Sequence, residues 1–318
     1  MELPEQEKFA DNADNIEESL INVMNTIPAS YSLIVMYDNN LYVMKDRYGI
    51  RPLSIGYKDS QIYISSETCA LDNCMNIFEV KSGQILKISK NGIDEIYIHP
   101  KAVDAICAFE LIYFMNPQSY YKDIQIKEYR KQLSHILAHR DINTFSNDYI
   151  VVGVPESGLL YGQYYADIVG LKTEELITKY TDDRTFILLK NEDRKNACKK
   201  KFKYGDVKDK KIILLDDTIV RGNVIQAIVD NLKEMGVKEI HIRIPAPPVV
   251  DICQLGIAIH NKKELIMHNR TEEEVAEILG VNSLKYLTVD DLKIFPKDSY
   301  TECFSGYIPE EIINYKQL

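Results

Sequence analysis

Asp216 and Asp217 stand side by side at the end of an unbroken apolar run, Ile212, Ile213, Leu214 and Leu215, and lead into Thr218, Ile219, Val220, Arg221, Gly222 and Asn223. An apolar run of this kind suits a parallel strand covered on both faces. Residues 224–235 then carry apolar side chains at helical spacing, with Gly236 behind them, which predicts a helix. Ligands of open α/β sheets sit where such strands end. Backbone N–H groups from Thr218 to Asn223, allowed a close approach by Gly222 and backed by a helix N-terminus, suit a monoester phosphate. Two carboxylates beside that cradle would repel a bare anion. They fit a ligand that presents a sugar diol or a pyrophosphate-bound Mg²⁺, because carboxylates accept from hydroxyls and coordinate hard cations. A plainer reading makes them acidic residues at a helix N-cap, where Asp is common. The strand, turn and helix context of the whole run favours the ligand.

The run resembles the phosphoribosyl pyrophosphate (PRPP) signature of type I phosphoribosyltransferases, in the version carried by the amidophosphoribosyltransferase family, which opens purine synthesis by making phosphoribosylamine. Residues 45–53, 65–72, 107–114, 154–158, 184–187, 241–248 and 264–266 are similar to stretches of that family in the same order, so the resemblance runs from about residue 16 onward. It implies an α/β fold: a type I phosphoribosyltransferase parallel sheet flanked by helices, preceded by a partial antiparallel β glutaminase-like region. Asp216 and Asp217 would hold the ribose and, through PRPP, Mg²⁺. Thr218 to Asn223 would hold the 5′-phosphate, and Glu156, Ser157 and Gly158 with Arg184 the pyrophosphate side; Arg184 and the two Asp residues are the catalytic candidates. Displacing pyrophosphate through an oxocarbenium-like transition state requires a neutralised leaving group and a dry site. Relatives use Mg²⁺ and a closing loop for this.

The chain departs from the family in several places. Its loop reads Thr178-Lys179-Tyr180-Thr181-Asp182-Asp183, where the family has a Lys-Asn-Arg-Tyr-Val-Gly pattern. Each added carboxylate would oppose pyrophosphate binding by roughly a kcal/mol at ~4 Å and surface-like dielectric. Val224 replaces a Thr that helps hold the phosphate, a loss of about one hydrogen bond, ~1 kcal/mol. Lys199 replaces an Arg, keeping charge without the bidentate fork. The family's glutaminase nucleophile is an N-terminal cysteine with its own α-amine as base. This sequence opens Met1-Glu2-Leu3-Pro4 and its first cysteine is Cys69, so the first half of that domain is expected to be missing and glutamine not to be used. A shortened sequence and natural loss would read alike. Cys107, Cys253 and Cys303 match three of the four ligands of an iron-sulfur cluster held by some relatives, and Tyr300 stands at the fourth. Four thiolates are the usual requirement, so packed thiols are expected and not a cluster. Cys69, Cys74 and Cys198 have no assigned chemistry.

The elements that must position these residues follow from composition and period. With 318 residues, 45% hydrophobic, the chain can form two domains with a sizeable core. A net charge of -10 argues against nucleic acid and anionic membrane as partners. No stretch is apolar enough to span a bilayer, and the acidic N-terminus lacks the features of a secretory signal. A cytoplasmic protein with reduced cysteines is expected. Asn15 with Glu18 predicts a helix start, with Ile16, Leu20, Val23 and Met24 on one face and Pro28 at its end. Strands are predicted over 31–37, 41–45, 61–66, 84–89 and 93–99, with turns at Asp38-Asn39-Asn40 and Asn91-Gly92. Half a sandwich leaves a face exposed, to be covered by the second domain or in an oligomer. Beyond residue 100 the pattern alternates: helix 126–140, strand 149–154, helix 159–169, strand 211–215 and its helix, strand 239–244, and a short helix between Thr271 and Gly280. The domains are therefore read as 1–100, a truncated glutaminase-like remnant, and 101–318, a phosphoribosyltransferase.

The expected function is PRPP-dependent formation of phosphoribosylamine from Mg-PRPP and ammonia, in a homo-oligomer or in association with a homologue. The competing expectation, favoured by residues 178–183, is a PRPP-binding or regulatory pseudoenzyme that associates with a full-length homologue. Transfer to another nitrogen nucleophile is a third.

Overall fold

The structure, a computed structural model, describes residues 15–27, 29–179, 202–255 and 261–307. Helix α1 (Ile16–Thr26) starts where its cap predicts: Asn15 accepts the Glu18 N–H at 3.3 Å, and Glu17 and Glu18 sit at the positive end of the helix. It ends at Thr26; the expected stop, Pro28, lies outside the described residues. Seven strands follow: β1 (Ser32–Tyr37), β2 (Asn40–Lys45), β3 (Ser54–Lys58), β4 (Gln61–Ser65), β5 (Met75–Glu79), β6 (Gln84–Ser89) and β7 (Gly92–Ile98). The first turn has two central residues, Asp38 and Asn39, both at positive φ, as a tight hairpin between twisted strands requires.

These strands form a four-stranded antiparallel sheet, β1-β2-β6-β7, and a three-stranded one, β4-β3-β5. Alternation along β2 divides the core: Tyr42 and Met44 meet Leu20, Val23 and Met24 of α1, while Val43 meets Leu53, Ile55 and Val80 beneath the other sheet. Part of the cover that half a sandwich was expected to need thus comes from within this region. The three-stranded sheet, with β3 and β5 that lack clear periodicity, packs over β2 and β6, while Ile34 and Met36 of β1 on the same face stay exposed. Apolar exposure falls on the rim, at Met36 (80%) of edge strand β1 and Met75 (70%) of β5.

Next come β8 (Tyr120–Tyr121), β9 (Ile124–Gln125), α2 (Ile126–His139), β10 (Tyr149–Gly153), α3 (Ser157–Val169), β11 (Lys172–Thr173), the hairpin β12 (Ile177–Lys179) and β13 (Phe202–Tyr204), β14 (Lys211–Leu215), α4 (Asn223–Glu234), β15 (Glu239–Ile244), α5 (Glu272–Leu279), β16 (Ser283–Tyr286) and α6 (Glu302–Ser305). The predicted alternation yields a five-stranded, wholly parallel sheet in the order β11-β10-β14-β15-β16. The chain is an α/β protein with parallel and antiparallel sheets. β11, β13 and β16 span two to four residues, too short for a periodic signal. α5 carries the expected capping box, Thr271 with Glu274, and closes on left-handed Gly280. Among the described residues no helix is long and apolar enough to cross a membrane.

The antiparallel and parallel regions share one core. Tyr48 and Ile50 pack in the same buried cluster as Phe109 and Leu133, and the N–H groups of Ala105 and Cys107 donate to their carbonyls at 2.7 and 3.1 Å. Glu67 accepts from the Asn116 N–H and the Ser119 hydroxyl at 2.6 and 2.7 Å.

Asp46 pins the turn out of β2. It is 1% exposed and accepts the N–H groups of Tyr48 (2.9 Å) and Tyr31 (3.2 Å). Burial pushes its carboxyl up to about 6 despite those bonds and the neighbouring Lys45. An acid raised on folding stabilises the fold in its protonated form; that contribution is complete below the ordinary value of 3.8 and is lost as pH rises through about 6. Asp46→Asn should flatten the pH dependence of stability across this window, by about 3 kcal/mol at most. Denaturant unfolding at stepped pH measures it, and parallel curves for the two proteins would refute it.

Candidate functional site

The chain leaves β10 toward β11 on one side of the sheet and returns to β14 and β15 on the other, so the crevice beyond β10 and β14 is the topological switch point. Two turns border it. One runs from Gly153 through the cis Pro155–Glu156 peptide into α3, the other from Asp216 through Gly222 into α4. The Val154 N–H donates to the Leu215 carbonyl at 2.8 Å. A Cβ on Gly158 would lie 2.3 Å from that carbonyl oxygen, and one on Gly153 would lie 2.5 Å from the Gly158 oxygen, so only glycine lets the turns close this far. Ser157 and Gly158, expected in a loop, form the first turn of α3; the helix begins two residues earlier than its apolar period because Gly158 seats it on the strand ends. Neither α3 nor α4 has a side-chain cap. Two positive helix ends therefore border one crevice, an arrangement suited to phosphate groups.

The structure brings the two expected acids to this point. Asp217, 5% exposed, accepts from the Ser157 hydroxyl of one turn and from the Thr218 hydroxyl of the other at 2.7 Å. It joins the turns. Asp216, 9% exposed, accepts the Asp217 N–H at 3.0 Å, and its own N–H reaches the Arg243 carbonyl at 3.4 Å. Burial holds the Asp217 carboxyl above the ordinary range, against the pull of the Ser157 and Thr218 hydroxyls and the Arg130 charge. Each oxygen of a carboxylate has two acceptor positions, so Asp217 retains capacity for ligand hydroxyls.

The second turn is braced from outside. The Ile266 N–H donates to the Val220 carbonyl at 2.9 Å, and Arg221 Nε pairs with Glu264 at 2.6 Å. Gly222 has φ 79°, and a Cβ there would meet Ile266 Cδ1 at 2.4 Å. Ile219 is a core residue, so it has only backbone to offer a ligand, and the Arg221 side chain is turned to Glu264. Val224 packs against the core. Asn223 opens α4.

Several neighbours of the site carry no signal as chemistry in the sequence. Glu110–Phe114 is a π-helical turn, the Met115 N–H returning to the Glu110 carbonyl, and buried Arg130 ties it down by donating to the carbonyls of Leu111, Tyr113 and Met115 at 3.1, 3.0 and 2.6 Å. Burial, with the charges of Asp217 and Asp216, raises the phenol of half-exposed Tyr113. The stretch 107–114 stands out by resemblance, yet nothing in it foretells the π-turn. Glu156 is 3.6 Å from Lys179 Nζ, so the basic residue of the altered loop pairs with an acid of the first turn. Thr178 and Lys179 lie in β12; Tyr180 to Asp183, Arg184, Cys198 and Lys199 lie outside the described residues.

The donor sets differ in what they can hold. Two buried carboxylates fall short of a protein-only metal cage, and among the described residues no larger ligating group exists. That suits Mg²⁺ carried chiefly by substrate phosphates with one or two carboxylates. For an iron-sulfur cluster the set does not fit. Tyr300, buried at the fourth position, donates to Glu302, and burial pushes the Cys107 thiol up to about 12 and the Cys303 thiol well above its ordinary value.

Comparison with known proteins agrees with this geometry. A family model described as a phosphoribosyl transferase domain matches residues 121–246. The amidophosphoribosyltransferase of Methanocaldococcus jannaschii is 34% identical over 95% of this chain and 68% of its own length. That of Bacillus subtilis is 31% identical over 93% of this chain and 64% of its length. A solved B. subtilis glutamine PRPP amidotransferase, complexed with ADP and GMP, superposes with a TM-score of 0.80 at 29% identity, covering 93% of this chain and 67% of the other. The chain thus spans about two thirds of the length of these relatives. It belongs to the amidophosphoribosyltransferase family.

Proposed function

We propose that this chain transfers the phosphoribosyl group of Mg-PRPP to ammonia, forming 5-phosphoribosylamine and pyrophosphate in purine synthesis, as a cytoplasmic homo-oligomer or with a homologue. The observation that carries this reading is Asp217 joining the two uncapped helix N-termini across the switch point. Asp216 and Asp217 hold the ribose hydroxyls and the backbone from Thr218 to Asn223 the 5′-phosphate. Glu156, Ser157 and Gly158 line the pyrophosphate side, a role the resemblance also gives to Arg184. Mg²⁺ bound to PRPP would draw on the two Asp carboxylates and neutralise the leaving group. The protein's share is to orient the sugar, to set negative charge near the developing oxocarbenium, and to keep water out of a crevice whose acids are nearly buried. Ammonia is the nitrogen donor we propose. In domain terms, residues 1–100 are a glutaminase-like remnant and 101–318 the transferase.

One observation favours a second reading, a PRPP-binding protein without turnover: the loop's Lys179 is paired with Glu156 and is followed in sequence by Asp182 and Asp183. Purified protein with PRPP, Mg²⁺ and ammonium decides between them. Pyrophosphate release above that of an Asp216→Ala, Asp217→Ala variant is expected; tight PRPP binding without release would establish the second reading instead. A parallel reaction with glutamine in place of ammonium tests the choice of donor, and release there would overturn it.

Two further outcomes follow from the geometry. The ionised form of Asp217 accepts ligand hydroxyls, and its carboxyl is raised by burial, so PRPP binding should weaken on acidification at a higher pH than an ordinary carboxylate would allow. Asp217→Asn should remove that step from the pH profile measured by titration calorimetry, and an unchanged profile would exclude the role. Gly222→Ala should lower PRPP affinity by roughly tenfold or more, since left-handed φ and the Ile266 contact both resist a Cβ and the turn must shift. Wild-type affinity in that variant would show that the turn's conformation is not what binds phosphate.

A further inference from the structure

Tyr286 ends β16, the edge strand beside β15. Its hydroxyl is buried and has no hydrogen-bond partner among the described residues, in a side chain 4% exposed. A buried hydroxyl without a partner costs about 1–3 kcal/mol and calls for an explanation.

Register supplies one. Tyr286 is the cross-strand partner of Ile244, and Leu215 is the partner of Arg243. Asp216, one residue beyond Leu215, continues that ladder by donating its N–H to the Arg243 carbonyl. Asp216, Ile244 and Tyr286 therefore form one row across three parallel strands, with side chains directed to the same face. A tyrosine reaches far enough to pass over an isoleucine. The alternative acceptor, Glu272, takes the Tyr286 backbone N–H at 3.0 Å and so sits at the base of the side chain, not at its tip. Burial, then the negative charges of Glu272 and Asp216, push the phenol far above its ordinary value, so it remains a donor throughout the working pH range.

We propose that Tyr286 is a positioning residue: its hydroxyl donates to the Asp216 carboxylate when the sugar phosphate is bound, locking the acid in the orientation that meets the ribose hydroxyls. The proposal rests on the PRPP reading of the site and assigns it a residue outside both turns. In the unliganded protein the hydroxyl is held in reserve. A hydrogen bond to a carboxylate is stronger than one to a neutral group, so a modest shift that orders Asp216 around the ligand is enough to engage the waiting donor.

Tyr286→Phe removes the hydroxyl and keeps the ring. Because an unpaired buried hydroxyl is lost, unliganded stability should be unchanged or higher, read as an equal or raised Tm. Mg-PRPP affinity, measured by titration calorimetry on the full chain, should fall roughly three- to tenfold. In an Asp216→Asn background the same change should have a clearly smaller effect, since the charged acceptor is gone. A purely structural tyrosine would move Tm and leave the affinity ratio alone. Wild-type binding that is equally tight in Tyr286→Phe overturns the proposal while the PRPP reading stands. Equal losses in both backgrounds overturn it too. Failure of the wild type itself to bind Mg-PRPP overturns the PRPP reading and this inference with it.

Discussion

The site depends on how closely two strand ends can approach. Gly158 lies against the Leu215 carbonyl at a distance that excludes any side chain, and Gly153 leaves the same room behind it. That contact aligns α3 and α4 so that both positive ends border one crevice, and it brings Ser157 within reach of Asp217. Everything else around the crevice is arranged on this approach. The backbone bond from Val154 to Leu215 continues the β10–β14 ladder one residue past the strands, so the turns start in register.

Electrostatics then sets what the crevice accepts. Helix N-termini attract phosphate, whereas nearly buried carboxylates disfavour a simple anion. On the proposed reading a ligand satisfies both by carrying phosphate and hydroxyl or metal at adjacent positions. Burial makes this selection sharper because Asp217 is costly to ionise without partners, and Ser157, Thr218 and Arg130 only partly offset that cost. Two polar groups beyond the turns complete the support: Glu264 holds Arg221, and Arg130 holds the π-turn that carries Tyr113.

The antiparallel region is not a loose appendage. Tyr48 and Ile50 cross into the main core, and Glu67 ties the turn after β4 to residues 116–119. In its four-stranded sheet α1 covers one face and the three-stranded sheet covers β2 and β6 on the other. Exposed apolar side chains remain on β1 and β5, where pairing stops.

Reading residues alone recovers what is local. The strand 211–215, the acids after it and the helix ended near Gly236 were legible because a buried parallel strand is an apolar run and its turn residues are adjacent in the chain. The helix caps at Asn15 and Thr271 were legible for the same reason, a cap and its partner being three residues apart. Strands β3, β5 and β16 were not, since short segments take their structure from neighbours distant in sequence. Nor was the division of labour within residues 218–222, where Ile219 turns to the core and Arg221 to Glu264. Sequence by itself determined which residues could form a phosphate and hydroxyl site. Only the tertiary structure decided how they meet, because Ser157 reaches Asp217 and Glu264 reaches Arg221 through packing and sheet register, and neither is encoded in the spacing of any one segment.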